Sequence, residues 1–388
     1  MKIFILLSRI PYPLEKGDKL RAFNHIKYLS KNKKITLFAL NDSKVNIEKA
    51  FQALQPYCRS INFFDLSKFS ILFNVLLAFF NGKPLQSGYF FSSRAKNRIN
   101  KIISETKPDH IFCQLVRVAE YVKNQNIPKT LDYQDVFSKG VERRIQPASF
   151  YLKPLLKLEY KRLLKYENKI FDYFDNKTII SEPDRELIPH PEKDKIVIVM
   201  NGVDTDFFKP IDRKKEYDIV FTGNMGYPPN VNGVEFLVKQ ILPIVRRNKP
   251  EIKVLIAGAN PDRKVIAVKS KNIHVTGWVE DIREYYAKAR IFIAPMQIGT
   301  GLQNKLLEAM AMKIPCISSH LANNALNAKS GKEIKIGDSA EEYAQHIIYL
   351  LDNKDKADEI ALNGYNFVLN NYNWEKATEK LEELMFNS

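Results

Sequence analysis

Cysteine is scarce and scattered. The 388 residues include three, Cys58, Cys113 and Cys316, far apart and at no metal-ligand spacing, which argues against a disulfide framework and a thiolate zinc site. Each lies among apolar neighbours, the setting of a reduced, buried thiol, and that usage suits a cytoplasmic protein. Long hydrophobic runs are also missing. The most apolar stretch, 69–80, is interrupted by Asn74 and falls well short of the roughly 20 residues that cross a bilayer. The first seven residues are apolar but lack the length and cleavage pattern of a signal peptide. The expectation is a soluble chain, or at most one lying peripherally on the inner face of the cytoplasmic membrane. Acidic residues are few beside basic ones, 44 against 60, for a formal charge of +16. That excess favours an anionic partner (nucleic acid, a nucleotide substrate or a membrane surface), and charge alone does not choose among them.

The length and an ordinary apolar share of 45% predict two domains with a core each. Lys2–Leu7 is a short continuous apolar run, as in a strand covered on both faces. A helical pattern through Leu20, Phe23, Ile26 and Leu29 follows, then a strand at Ile35–Leu40, which together make a βαβ unit. His110–Cys113, Thr130–Tyr133 and Thr178–Ile180 extend the series. A second series starts at the strand Tyr217–Thr222. Its helix carries Val234, Leu237, Ile241 and Val245 on one face; then come Lys253–Ala257, Ile273–Thr276, a helix capped by Asp281, Ile291–Ala294, a helix over Leu302–Met312 and Cys316–Ser318. The predicted fold is α/β with two Rossmann-like domains: 1–200, completed by a helix within 372–388, and 201–371. Folds of this type bind ligands outside the carboxyl ends of their strands, so the loops after strands carry the information.

One such loop and its helix, 295–312, hold the strongest local signal. Gly299 and Gly301 allow close backbone approaches, and free N–H groups at the helix start make an anion site suited to a diphosphate. Lys305 adds a full charge one turn on. Glu308, three residues further, lies on nearly the same face and is placed to accept hydrogen bonds from ribose hydroxyls. On glycine spacing alone, the same stretch also reads as a plain strand-to-helix turn with an exposed Lys–Glu pair.

The whole string decides more than its parts. Gly299-Thr-Gly-Leu302, Glu308-Ala-Met-Ala311 and Ile314-Pro-Cys-Ile317 resemble the donor-binding segment of the retaining glycosyltransferases of family 4. Asn201-Gly-Val-Asp204 with Phe208 and Pro210 resembles that family's interdomain motif, and Phe221-Thr-Gly223 and Ile256-Ala-Gly258 resemble the opening strands of its donor domain. Val275 to Asp281, including Trp278 and Val279, resembles the segment that holds the nucleobase; Tyr372-Asn-Trp374 resembles the closing helix. Ser8 to Arg21 and Asp132 to Ser138 resemble a subgroup found in bacterial polysaccharide clusters. The resemblance implies a GT-B fold, with two domains facing across a cleft. It further implies transfer of a sugar from a UDP- or GDP-linked donor to a hydroxyl of a glycan or lipid-linked acceptor, with retention and without a metal or cofactor. Helix dipole and Lys305 would then stabilise the departing diphosphate.

The chain departs from that pattern in places. The Glu that commonly touches the donor sugar, eight residues before the ribose-binding Glu, is Thr300 here, which leaves sugar contacts to Gly301, Leu302, Gln303 and Asn304. The usual basic pair after the first donor-domain strand is absent, because Gly223 is followed by Asn224. Where many relatives have a His, this chain has Asp135, a candidate to accept the acceptor's proton or orient its hydroxyl, with a loop or cap carboxylate as the plain alternative. Gly17 permits close approach in the first loop, where Arg21 or Lys19 would supply charge to the donor phosphate. His25, His110 and His190 read as structural or solvent-exposed. No Asp-x-Asp stands at a strand end, so no metal site is predicted. Lys153, Lys157, Lys161 and Lys165 form a basic helical stripe that, with 69–80, suggests docking on anionic lipid; a solvated helix and a core helix are the alternative. An epimerase of the same fold acting on a UDP-sugar, and a non-enzymatic nucleotide- or nucleic-acid-binding protein, remain open, although the chain carries no nucleic-acid-binding signature.

Overall fold

The structure, a computed structural model, describes all residues except Glu15, Ser43, Lys44, Pro147, Gly299, Thr300, Asn387 and Ser388. The chain divides into two compact units, Met1–Met200 with Trp374–Ser388, and Asn201–Asn373.

The first unit is built on seven parallel strands: β1 (Lys2–Leu7), β2 (Lys34–Asn41), β3 (Ser60–Asp65), β4 (His110–Gln114), β5 (Lys129–Gln134), β6 (Asn176–Ile179) and β7 (Val197–Ile198). Their order across the sheet is β3-β2-β1-β4-β5-β6-β7, with parallel pairing throughout. β1 and β4 are buried along nearly their whole length because helices cover both faces, which is why they read as continuous apolar runs rather than alternating ones. The helix Trp374–Phe386 belongs to this unit: Leu381 and Met385 join the cluster of Ile3, Ile5 and Leu37.

Six parallel strands form the second unit: β8 (Tyr217–Thr222), β9 (Val254–Ala257), β10 (Ile273–Val275), β11 (Ala289–Ala294), β12 (Cys316–Ser318) and β13 (Lys335–Ile336), in the order β10-β9-β8-β11-β12-β13. The predicted apolar face closes one side: Val234, Leu237, Ile241 and Val245 are all fully buried. The backbone there is not one regular helix, since Pro228–Phe236 passes through a π-turn at Leu237–Ile241 before Leu242–Val245. Pro243, lacking an N–H to give to the preceding turn, accounts for the break. Asp281 accepts from the Arg283 N–H as the predicted cap. The helix near 302 begins later than its apolar pattern, at Asn304, and ends at Ala311.

In each sheet the strand order reverses once, between β1 and β4 and between β8 and β11. Adjacent loops leave in opposite directions at these points and open a crevice at the carboxyl ends. These two positions locate the candidate sites.

Cys113 and Cys316 are buried and Cys58 is half-buried, all as free thiols. Burial raises each thiol, Cys58 to about 12, so none is a ready nucleophile.

Candidate functional site

The second unit's crevice is assembled from the ends of β8 and β11. β8 runs into Gly223, whose φ of +145 suits a residue without a Cβ. Its amide donates to the Ala257 carbonyl at 3.1 Å, and Gly258 stacks so closely behind it that a Cβ on Gly258 would lie 1.8 Å from the Gly223 oxygen. Gly258 also donates to the Gly277 carbonyl at 3.2 Å, tying the loop before Trp278 to the same floor. Trp278 is 66% exposed and Val279 half-buried, so an indole face stands free beside the crevice.

Lys305 reaches this floor from the second position of the helix Asn304–Ala311. Its Nζ hydrogen-bonds Asn230 Oδ1 and lies 4.8 Å from the centre of the Phe221 ring. Asn230 Nδ2 in turn donates to the Asn224 carbonyl at 2.9 Å. Burial outweighs the attraction of Glu308 and pushes the ammonium down to about 7. The residue keeps part of its surface in water, open to an incoming ligand. Glu308 follows one turn on and accepts a 2.8 Å hydrogen bond from the Tyr286 hydroxyl through Oε2. Tyr286, fully buried, also bonds Thr222 Oγ1 at 2.7 Å, so the carboxylate is held by β8 and by the helix Ile282–Ala287 together. Burial raises the Glu308 carboxyl, while Tyr286 and then Lys305 oppose it. Glu308 Oε1 has no hydrogen bond among the described residues. The helix start carries no side-chain cap: Gln303, at the cap position, turns its amide to the Gly301 carbonyl at 3.2 Å. Gly301 has φ +90, and Leu302 packs partly against the core. Thr300 lies outside the described residues.

The arrangement combines uncapped backbone donors, one partly desolvated ammonium and a braced carboxylate with a free oxygen. Chemically it suits an anion joined to a diol. Asn230 and Tyr286 were not legible in the sequence. Asn230 is in the first turn after β8, and Tyr286 is four residues into the helix after β10, positions that a search of strand-following turns would have reached. A cavity of about 870 Å³ lined by Lys215, Asp218, Arg290 and Lys313 opens at the opposite, amino ends of β8 and β11 and touches none of these groups.

In the first unit, Gly17 opens the helix Gly17–Leu29 at the reversal point, with the Gln134 amide near where its Cβ would be, at 3.9 Å. That is ordinary contact, so sterics alone do not demand glycine there. Arg21 corrects the expectation that it supplies charge to a donor. It is fully buried, with Nε 2.7 Å from Asp132 Oδ2, Nη2 3.1 Å from Oδ1, and Nη1 donating to the Val199 carbonyl at 2.8 Å. A guanidinium closed off from solvent and matched by a bidentate carboxylate braces the sheet. Lys19 is also buried and donates to the Tyr12 carbonyl at 3.3 Å.

Asp135 follows β5 in an exposed position, and its carboxylate makes no hydrogen bond among the described residues; Val136, not Asp135, precedes the helix Phe137–Ile145 at the cap position. Surrounding protein and then Asp184 push its carboxyl up to about 6, against the pull of Arg117. The three histidines considered from the sequence are structural. His25 is buried against Trp374 and bonds Thr378, His110 bonds Thr130 within the sheet, and His190 stacks on Phe171. Among the described residues no cluster of His, Cys, Asp or Glu is arranged to hold a metal ion.

Residues 216–353 match the family model of Glycosyl transferases group 1. A 44.6 kDa protein of the cps region of Klebsiella pneumoniae is 24% identical over 405 residues, covering 97% of each chain. Sucrose-phosphate synthase from Thermosynechococcus elongatus superposes with a TM-score of 0.71 at 14% identity, over 99% of this chain and 98% of that one. The Anabaena protein HepE, solved in complex with UDP-glucose, superposes at 0.71 with 10% identity over the whole of both chains. WaaG, a glycosyltransferase involved in lipopolysaccharide biosynthesis, superposes at 0.67 with 13% identity, again over both whole chains. The fold is GT-B, and the family match falls within the second unit.

Proposed function

We propose that this chain is a retaining glycosyltransferase that moves a sugar from a UDP- or GDP-linked donor to a hydroxyl of a glycan or lipid-linked acceptor in polysaccharide biosynthesis. One observation carries the reading: Lys305 and Glu308 stand one turn apart beside the uncapped helix start, at the carboxyl ends of β8 and β11. Glu308 Oε1 would take the ribose hydroxyls, Trp278 and Val279 would flank the nucleobase, and Gly223, Asn224 and Gly301 to Gln303 would offer backbone contacts. Lys305 and the free helix amides would hold the diphosphate as it departs, without a metal or cofactor. Asp135 is the candidate to orient the acceptor hydroxyl. The relatives point the same way: HepE was solved with UDP-glucose, and the Klebsiella protein comes from a cps region.

The ammonium supplies a test. Its free form titrates near 7, and a bound diphosphate would raise it again, so binding at pH 7–8 takes up a fraction of a proton. Affinity should therefore weaken as pH rises above about 7, by at most about tenfold per unit for one linked proton. Calorimetric titration with UDP- and GDP-sugars in buffers of different ionisation enthalpy reads the uptake directly. Absence of heat with every donor would refute the assignment; uptake that persists in Lys305→Met would refute the role of Lys305.

Membrane docking is part of the same proposal. The helix Lys68–Phe80 turns its apolar face outward: Phe69, Leu72, Phe73, Leu76 and Phe80 are exposed, Phe69 at 88%, and only Ala78 is buried. Beside it, Arg162 of the helix Lys153–Phe171 donates to the Phe79 carbonyl at 2.8 Å, and Lys157, Lys161 and Lys165 of that helix are exposed. Apolar side chains flanked by basic ones fit the interface of an anionic bilayer. No helix among the described residues is long and apolar enough to cross a membrane. Flotation with vesicles rich in phosphatidylglycerol at low salt should carry the protein upward. The double variant Phe69→Ser/Phe73→Ser should weaken that binding roughly tenfold or more; equal flotation with neutral vesicles would count against the charge component.

A further inference from the structure

β4 and β5 are neighbours that end in the same unusual way. Leu115, just after β4, has φ +72, and Gln134, the last residue of β5, has φ +63. Both are buried and neither is glycine. The Leu115 amide donates to the Asp132 carbonyl at 2.8 Å, locking the pair of turns together. Left-handed backbone at a non-glycine residue costs free energy and gathers where a loop must be aimed. What these two turns aim is Arg117, two residues on from Leu115, and Asp135, one residue on from Gln134.

Arg117 is set in an aromatic clamp. Its guanidinium carbon is 4.3 Å from the centre of the Phe137 ring and 4.9 Å from that of Phe90. Arg9 also lies over Phe90, at 5.7 Å, but is matched by Asp18 at 3.0 Å and Asp42 at 3.1 Å. Arg117 has no such match: it is half-buried, its Nε is buried without an acceptor, and its guanidinium forms no hydrogen bond or ion pair among the described residues. Burial and then the charge of Arg9 push it down to about 10, against the pull of Asp18, Asp135 and Asp42, none of which forms an ion pair with it. A planar donor fork held by two rings is already ordered for a bidentate oxyanion, and a stability role would instead have given it a partner.

We infer that Arg117, clamped by Phe90 and Phe137 at the carboxyl end of β4, binds an oxyanion on the acceptor, a sugar carboxylate or a phosphate ester. This deepens the transferase reading and rests on it. Asp135, on the neighbouring turn, would then meet the acceptor on the same side of the sheet, so that the anion fixes which hydroxyl is presented. Arg117 is a positioning residue for the acceptor and has no part in donor binding.

The experiment titrates the full chain with two matched pairs, methyl glucuronide against methyl glucoside and glucose 6-phosphate against glucose, by saturation-transfer NMR, alongside a nucleotide-sugar. The acidic member of one pair should bind roughly 10- to 100-fold more tightly than its neutral twin, and which pair shows it identifies carboxylate or phosphate as the source. Arg117→Gln should abolish the preference, Arg117→Lys should keep a reduced one, and donor affinity should stay unchanged in both. The melting temperature of Arg117→Gln should hold or rise, since an unmatched cation is removed. No acid preference in the wild type, or a preference that survives Arg117→Gln, overturns the inference. So does a lowered melting temperature in both variants with the preference intact. If acid preference appears while no nucleotide-sugar binds, the transferase reading fails and the anion site stands; donor binding without acid preference does the reverse.

Discussion

Replacing Glu308 with alanine is expected to remove nearly all affinity for the nucleotide-sugar while leaving the fold intact. Two hydrogen bonds from ribose hydroxyls to a carboxylate contribute about 1.5–3 kcal/mol each. Their combined loss, about 3–6 kcal/mol, corresponds to roughly a hundredfold to twenty-thousandfold in affinity, at about 1.4 kcal/mol per tenfold. A second effect adds to it. Glu308 is the charge that raises Lys305 against burial, so its removal leaves the ammonium less protonated and less able to hold a diphosphate. Glu308→Gln separates the two in part: it keeps one acceptor oxygen, so that Tyr286 or the ribose but not both retains its native acceptor, and it loses the charge; it should fall between wild type and alanine. The fold should tolerate both, because Tyr286 keeps its bond to Thr222. Isothermal titration with the donor that binds the wild type decides the matter. Unchanged affinity in Glu308→Ala would place the ribose elsewhere.

The second large effect falls on stability. Asp132 accepts two hydrogen bonds from Arg21 and one from Thr178 at 2.9 Å, all fully buried. Asp132→Ala strands a buried guanidinium, and breaking one side of such a pair costs about 3–5 kcal/mol. The thermal transition should fall by on the order of 10 °C. Because the pair itself carries a desolvation penalty, the double variant Arg21→Met/Asp132→Leu should be more stable than either single change. Scanning calorimetry of the three variants measures this. A double variant as unstable as the sum of the singles would mean that Arg21 and Asp132 contribute independently and are not energetically coupled.

Arg21 also shows where the sequence stops being readable. It sits near the start of the helix Gly17–Leu29, in a stretch with Lys16 and Lys19, and nothing local distinguishes a guanidinium offered to solvent from one closed against Asp132, 111 residues away. Arg117 was passed over for the same reason, since Phe90 and Phe137 are distant in sequence. The strands with continuous apolar runs, such as Lys2–Leu7 and Tyr217–Thr222, were legible because a strand buried on both faces has no other composition available. Ser60–Asp65 at the sheet edge, only half-buried, and the two-residue Lys335–Ile336 left too little pattern to find. The run 69–80 was visible as apolar, yet periodicity could not say that its apolar face would be left uncovered. Lys305 and Glu308 were findable because both come from one helix, whereas their partners Asn230 and Tyr286 arrive from two others.

The helix Trp374–Phe386 makes the first unit discontinuous along the chain. Synthesis runs from the amino end, so the strands of that unit leave the ribosome long before His25 can meet Thr378 or Leu381 can seal the cluster around Ile3. The second unit is a single uninterrupted segment and has its entire sequence available earlier. The unit begun first therefore cannot be completed until the helix Trp374–Phe386 emerges, and until then the part of its apolar cluster that Leu381 and Met385 cover stays open.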